Sequence, residues 1–378
     1  MKIKRLFFVK IITCYVLTIL YCEFIHYYLV LSQCDWPQIK FTSSTNNTTA
    51  PLKFMILTDT HMMGPKRTVW IDRVLRDWEM YRAFQTAVNL HKPEIVFFLG
   101  DLTDEGEYSN IEQFEDFRRR FHKLFAVPEG TKVYTTVGNH DIGFHHSVDS
   151  NSFGRFINAF NTNGTQLIEV RGIYFILLNS IALEGDNCFF CRPVEKELLR
   201  LEKLLDCYSH QAHCSPHITR KQYSRPILLQ HFPLYRQSDI NCTEPDEAPY
   251  PEKIEKYKEK WDCLGKNATE QLIRQIKPRL AVSGHSHHGC TRSLPSNNGI
   301  EITLPSFNWR NKINPSYGLF VATPDEYVFY KCLMPVETTV FAIYIIGFLF
   351  LPLWFYYLHS KQFRKRINGC VCKYFPSR

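Results

Sequence analysis

No charged residue interrupts the stretch from Val340 to Leu358, VFAIYIIGFLFLPLWFYYL, and no acidic residue follows it in the remaining sequence. A buried helix of a soluble protein normally keeps some polar face. Nineteen residues without a charge come close to the ~20 that a helix needs to cross a bilayer. Pro352 is tolerable within such a span. The missing acids leave Lys361, Arg364, Lys365, Arg366, Lys373 and Arg378 as a purely basic tail, which the positive-inside rule places on the cytoplasmic side. The apolar segment Leu6 to Leu31 is interrupted by Lys10, Glu23 and His26 and is followed by no small-x-small cleavage site. It therefore reads as an uncleaved anchor in preference to a cleaved signal peptide. Lys2, Lys4 and Arg5 before it put that end in the cytoplasm too.

The middle of the chain lacks basic excess. The formal charge of +8 is carried by the two ends, and residues 24–360 sum to about −1, which excludes an electrostatic nucleic-acid binder. No internal repeat is visible, which excludes a solenoid. The expected partition is a cytoplasmic N-terminus and anchor over 1–33 and a polar linker over 34–51. A lumenal domain over 52–335, a second span over 338–359 and a cytoplasmic tail over 360–378 follow.

Two patterns agree with a lumenal middle. Asn-x-Ser/Thr acceptors stand at Asn46, Asn47, Asn163, Asn241 and Asn267. Nine of the 13 cysteines lie in the middle, which fits an oxidising compartment with several disulfides and one thiol left over. CFFC, Cys188 to Cys191, with Cys207 and Cys214 downstream is read as disulfide-forming, with zinc binding as the alternative. Cys370 and Cys372 beside the basic run are either palmitoylated or free thiols.

Short apolar runs ending in polar clusters mark buried strands: FMILTDTH, EIVFFLGDLTDEG, KVYTTVGNHD, GIYFILLNS, PILLQHFP and RLAVSGHSH. Helical spacing connects several of them, as in Val74, Trp78, Tyr81, Phe84 and Val88 ahead of Pro93, a stripe expected to be core. Further helices are expected over 110–125, 193–207 and 268–277, and strands close the domain. The alternation predicts an α/β fold.

Ligands of α/β folds gather beyond the carboxyl ends of the strands. Those ends carry Asp59 and His61, Asp101 and Asp104, Asn139, His140 and Asp141, His231, and His285 and His287. One such cluster would be ordinary turn chemistry; five, drawn only from Asp, Asn and His, point to a metal centre of nitrogen and oxygen donors. If extended, residues i and i+2 present side chains to the same side, so Asp59 with His61 and His285 with His287 would act as pairs. Such donors suit Mn²⁺, Fe or Zn²⁺, and a carboxylate such as Asp101 can bridge two cations.

Asp59-Thr-His61, Gly100-Asp101-Leu-Thr-Asp104, Gly138-Asn139-His140-Asp141, His231 and Gly284-His285-Ser-His287 together resemble the five-block signature of the calcineurin-like metallophosphoesterases, over about residues 54–287. The resemblance implies a β-sandwich flanked by helices, with a transmembrane helix at each end of this chain, and two divalent metal ions, Mn²⁺ foremost. It also implies Asp59, His61, Asp101 and His287 around one ion and Asp101, Asn139, His231 and His285 around the other. His140 would be the catalytic histidine, donating a proton to the leaving oxygen, with Asp104 orienting it. WIDRVLRDWEMYRAFQTA, GNHDIGFHH, LLQHFPLYRQSD and PSFNWRN, with spans at both ends, look closest to the membrane-anchored branch that remodels GPI anchors.

That likeness implies a phosphodiesterase removing ethanolamine phosphate from the second mannose of the glycan. Its partners would be GPI-anchored proteins and membrane lipid, with no nucleic acid. It would work at endoplasmic reticulum exit sites, the ER-Golgi intermediate compartment or the cis-Golgi, supporting transport of its substrates. The tail ends KYFPSR, without a dilysine-type retrieval signal. A general lumenal phosphomonoesterase or phosphodiesterase and a GPI cargo-binding sorting protein are the alternatives. His145 and His146 are candidates for contact with substrate phosphate or metal, Arg310 for the phosphate and Trp309 for a sugar. Asp141 is expected to shape its loop, and His288 to point away from the metal.

Overall fold

A computed structural model describes residues 2–39, 50–162, 164–209, 214, 221–295 and 298–361. Asn46, Asn47, Asn163 and the tail beyond Lys361, with Cys370 and Cys372, lie outside them. The chain divides into two compact units, Met1–Gln33 with Pro335–Arg378, and Cys34–Met334.

In the first unit, helices over Phe7–Leu31 and Glu337–Lys361, each of 25 residues with mean hydropathy 1.8 and 2.0, are long and apolar enough to cross a membrane. Gly347 packs against Thr18, where a Cβ would come within 2.2 Å of the hydroxyl oxygen; small residues let apolar helices approach this way. Glu23, the acid that interrupts the first apolar run, accepts a hydrogen bond from the Tyr344 hydroxyl.

The second unit is built on two sheets. One has the order β11-β10-β1-β2-β3 and the other β4-β5-β6-β7-β9-β8. In chain order the strands are β1 Leu52–Leu57, β2 Ile95–Leu99, β3 Lys132–Thr136, β4 Gln166–Val170, β5 Ile173–Leu178, β6 Ile227–Gln230, β7 Leu280–Ser283, β8 Cys290–Ser293, β9 Ile300–Thr303, β10 Ser316–Ala322 and β11 Tyr327–Leu333. β1, β2 and β3 pair in parallel, as do β5, β6, β7 and β9. β10 and β11 return antiparallel along the edge of the first sheet.

Period-two side-chain alternation supplies the core between the sheets. Phe54, Ile56, Phe97 and Leu99 face Phe175, Leu177, Leu229 and Val282. The intervening residues Met55, Leu57, Val96 and Phe98 are buried as well, because helices cover the outer face: Phe98 meets Phe84 of the Trp70–His91 helix and Phe121 of the Ile111–Leu124 helix. Burial on both faces explains why these strands read as unbroken apolar runs. Helices over Cys191–Ser209 and Lys266–Ile276 match the other expected stretches. The helix Ser150–Phe160 and strands β4 and β8 are additions that short or partly polar sequences did not signal.

One expectation needs correction. The stripe on the Trp70–His91 helix is core only in its C-terminal half: Phe84 and Val88 are buried, whereas Val74 is 54% and Trp78 40% exposed. Exposure falls along the helix, from Trp70 at 71% to Phe84 at 0%.

Eight of the nine middle cysteines pair, as Cys34–Cys332, Cys188–Cys191, Cys207–Cys214 and Cys242–Cys290. Cys263 is the leftover thiol, and it is buried. CFFC is thus a disulfide within one turn, and Cys207 pairs with Cys214 rather than joining it in a zinc site. The described glycosylation acceptors Asn241 and Asn267 are exposed.

Candidate metal centre

Parallel pairing brings the carboxyl ends of β1, β2, β3, β6 and β7 to one edge of the sandwich. From them emerge Asp59 and His61, Asp101 and Asp104, Asn139 and His140, His231, and His285 and His287. The donors do not come from continued strands. Asp59, His61, Asp101, His285 and His287 have φ of 53°, 39°, 47°, 71° and 61°, a left-handed backbone that is costly for residues bearing a Cβ. The i, i+2 pairs therefore converge through tight left-handed turns. Surrounding hydrogen bonds hold those turns: the Ser306 hydroxyl donates to the Asp59 carbonyl (2.7 Å) and the Asn308 amide to the Thr60 carbonyl (2.7 Å).

The cluster has two halves. In one, His61 Nε2 lies 3.0 Å from His287 Nε2, 3.7 Å from Asp59 Oδ1 and 3.5 Å from Asp101 Oδ2. In the other, His231 Nε2 lies 3.2 Å from the same Asp101 oxygen, 3.1 Å from Asn139 Oδ1 and 3.3 Å from His285 Nδ1. Ligand atoms at metal–donor distances of about 2.1 Å and right angles stand about 3 Å apart, so these separations suit a coordination shell.

The hydrogen bonds on the far side of each ring make the same point. His61 Nδ1 donates to Asp104 (3.2 Å), His231 Nδ1 to the Leu99 carbonyl (2.8 Å) and His285 Nε2 to the Trp261 carbonyl (2.6 Å). In the neutral ring each assignment leaves the other nitrogen to aim a lone pair at further lone pairs, a position that a proton or a metal ion would fill. Such an arrangement is repulsive unless a positive charge lies between. Among the described residues, three of the groups that could hold an ion lie here: Asp59 with His61 and His287, His61 with Asp101 and His140, and Asp101 with His231 and His285.

Residues 52–289 match the model of the calcineurin-like phosphoesterase family. The chain belongs to that family. Members named metallophosphoesterase 1 are similar over most of their length. The Danio rerio protein is 40% identical over 364 residues, covering 95% of this chain and 94% of its own. The Drosophila melanogaster homologue is 42% identical over 337 residues, covering 88% and 89%. A solved dimetal phosphatase from Danio rerio aligns with TM-score 0.43 at 12% identity, over 76% of this chain and all of its own. As a calcineurin-like phosphoesterase, the protein is a metal-dependent phosphoester hydrolase.

Electrostatics divide the histidines of this phosphoesterase in pairs. Burial opposes charge on His61, but bonds to Asp104 and Asp59 and the nearby Asp101 raise it to about 10. His231 likewise rises to about 9, against burial, through Asp101. Burial, reinforced by His231, lowers His285 to about 3, and burial lowers His287 to about 4. Asp59, despite burial, is held at about 2 by its bond with His61 and the charges of His231 and His287. One imidazole in each half thus binds a proton at neutral pH. Metal and proton compete for these nitrogens, so metal affinity should rise with pH up to about 9 in the half of His231 and about 10 in the half of His61, each bound ion releasing a proton. Calorimetry in buffers of different ionisation enthalpy checks this; pH-independent affinity without proton release would contradict it.

Several placements refine the sequence reading. Asp104 lies nearer to His61 (3.2 Å) than to His140 (3.7 Å), and its second oxygen pairs with Arg310. It is the Asp104 main-chain carbonyl that accepts from His140 Nδ1, at 3.0 Å. Asp141 accepts from the Thr103 and Gly138 amides (2.9 and 3.0 Å), which makes it a loop brace. His145 is drawn off to Asp186 (2.8 Å) and the Ile181 carbonyl. His146 sits against Trp261. Trp309 is buried, so it offers no face to a sugar. His288 does point away, toward Glu252 (3.1 Å) and Lys312, though from a turn and not from an extended strand. Ser306, Asn308 and the Trp261 carbonyl are the supports that sequence reasoning missed. The first two stand in or beside FNWRN, and a main-chain carbonyl has no residue type to betray it.

Glycines let the turns close. A Cβ on Gly284 would lie 1.7 Å from Thr58 Oγ1 and 2.3 Å from Asp59 Oδ2. Gly284→Ala should displace Asp59, costing about 1–3 kcal/mol in overpacking and weakening metal binding. Thermal unfolding with and without Mn²⁺ checks it, the metal-dependent gain shrinking in the variant. An unaltered gain would count against this packing argument.

Proposed function

We propose that this protein is a lumenal phosphodiesterase with a dinuclear centre, which removes ethanolamine phosphate from the second mannose of GPI anchors in the early secretory pathway. The observation that carries the phosphoryl chemistry is the sharing of one Asp101 oxygen between two histidine-bearing halves, at 3.2 and 3.5 Å. The choice of substrate is supported by the likeness to the GPI-remodelling branch and by apolar helices at both ends, which would tether the site near a lipid-anchored substrate. Asp59, His61, Asp101 and His287 would hold one ion and Asp101, Asn139, His231 and His285 the second, with Mn²⁺ as the expected metal. Bound there, the ions would activate water and offset the charge that develops on phosphorus.

The remaining work falls to the chain. His140 is 32% exposed, whereas His61 and His231 are sealed in at 2% and 0%. It therefore stands where a leaving group can reach it. With Nδ1–H given to the Asp104 carbonyl, its Nε2 is the atom that can deliver a proton to the departing mannose oxygen. Arg310, its guanidinium paired with Asp104 and its main-chain N–H donating to Asn308 Oδ1 (2.9 Å), supplies a cation beside Asp104 for the phosphate. The P–O bond to mannose breaks, and ethanolamine phosphate and a free sugar hydroxyl are the products.

The test is release of ethanolamine phosphate from a GPI glycan by the full chain with Mn²⁺, beside hydrolysis of simple monoesters. Selective release is expected. Equal rates on monoesters would favour a general phosphatase, and binding without release would favour a cargo-sorting protein.

A further inference from the structure

Among the described residues of the Cys34–Met334 unit, exposed apolar side chains gather at the start of the Trp70–His91 helix. Val69 is 66% exposed, Trp70 71%, Ile71 61% and Val74 54%; beside them Tyr108 is 51% and Ile111 82% exposed. Soluble surfaces rarely gather such residues without a partner to cover them. The cluster is continuous, because the segments that bear it are bonded together. The Glu105 carboxylate accepts from the main-chain amides of Lys66 (3.0 Å) and Arg67 (2.7 Å), and the Arg67 guanidinium lies 5.2 Å from the Tyr108 ring centroid. Both segments are direct continuations of the loops that carry Asp59 with His61 and Asp101 with Asp104. The cluster therefore follows those loops directly along the chain.

We propose that this face docks on the surface of a lipid bilayer, seating Trp70, Ile71 and Val74 among the headgroups and upper acyl chains. Three observations favour a bilayer over a protein partner. The unit continues at both ends into apolar helices long enough to cross a membrane. The Cys34–Cys332 disulfide ties those two exits together, with Cα atoms 5.7 Å apart. Finally, Trp36, two residues beyond Cys34, donates its indole N–H to the His91 carbonyl at 2.9 Å. The C-terminal end of the Trp70–His91 helix is thus fixed to the chain just after it leaves the first apolar helix. A helix of 22 residues is about 33 Å long, so one anchored end and one apolar end give the unit two points of attachment to a bilayer.

Tryptophan with branched aliphatic residues on one face, and Lys66, Arg67 and Arg73 nearby, is the composition of such interfacial helices. Docked this way, the unit would be held at the bilayer surface, where a phosphoester carried on a lipid is within its reach. This inference rests on the membrane anchoring proposed above and not on which ester is cleaved.

The experiment uses the full chain reconstituted in phosphatidylcholine vesicles, with or without bromine on the upper acyl carbons, and compares it with Trp70→Phe. The difference in fluorescence between the two proteins reports Trp70. Bromolipid is expected to remove the greater part of that difference signal, while acrylamide in the aqueous phase leaves it largely intact. Quenching by acrylamide but not by bromolipid would overturn the proposal. So would protection from both quenchers that grows with protein density, which would show a second copy covering the face. No substrate is present, so failure here is separate from failure of the phosphodiesterase reading.

Discussion

Asp101→Asn is expected to abolish turnover, lowering kcat by roughly 10²–10³-fold or more, the scale set by loss of one preorganised electrostatic group, and to lower metal content by at least one ion per chain. Asp101 reaches an imidazole in each half with a single oxygen: its Oδ2 lies 3.2 Å from His231 and 3.5 Å from His61. Its Oδ1 accepts the His140 amide at 2.7 Å and so sets the position of that loop. The carboxyl is held well below the usual carboxylate range, burial being outweighed by the charges of His231 and His140. An amide of the same shape keeps the volume but removes the negative charge, and turns either an N–H or a weaker acceptor toward the two imidazoles. Metal content by atomic emission and turnover on a phosphodiester are the measurements. A variant with native metal content and native turnover would sink the shared-ligand assignment.

His140→Ala is expected to leave metal content close to native and to lower kcat by about 10²–10⁴-fold, the range for loss of a general acid. The loss should depend on the ester. A diester whose leaving group departs as a stable anion needs no proton and should lose least; a sugar alcohol should lose most. The reason lies in the geometry: Nδ1 is committed to the Asp104 carbonyl, and the ring is 32% exposed where His61 and His231 are buried. Equal losses across leaving groups would move His140 from proton donor to a purely structural part. Parallel loss of bound metal would make it a ligand, as its place in the group with His61 and Asp101 would allow.

Much of the fold was legible because its signals are local. Phe54, Ile56, Phe97 and Leu99 sit in runs whose composition alone marks strands buried on both faces, and the helices over Ile111–Leu124 and Lys266–Ile276 announce themselves by their period. The failures have physical causes too. Val74 and Trp78 share the period of Phe84 and Val88 but are exposed, and periodicity cannot tell which turns of a helix are covered. Trp309 and His145 carry the right side-chain types in the right neighbourhood. Their burial and their bonding to other partners depend on contacts made by distant segments.

By itself the sequence determined the donor types, their order along the chain, the strand ends that carry them, the apolar segments at both ends and the odd cysteine left over. These follow from residue chemistry and from periods of two and 3.6 along a single segment. Tertiary structure alone decided that Asp101 stands between His61 and His231, which are 170 residues apart in the chain. It decided that left-handed turns, not extended strands, aim the donors. It also decided that Asp104 spends its carboxylate on His61 and Arg310 and only its main-chain carbonyl on His140. The physical reason is common to all three: which nitrogen keeps its lone pair depends on the partner at the back of each ring. That partner, often a main-chain oxygen, is brought there by the packing of two sheets.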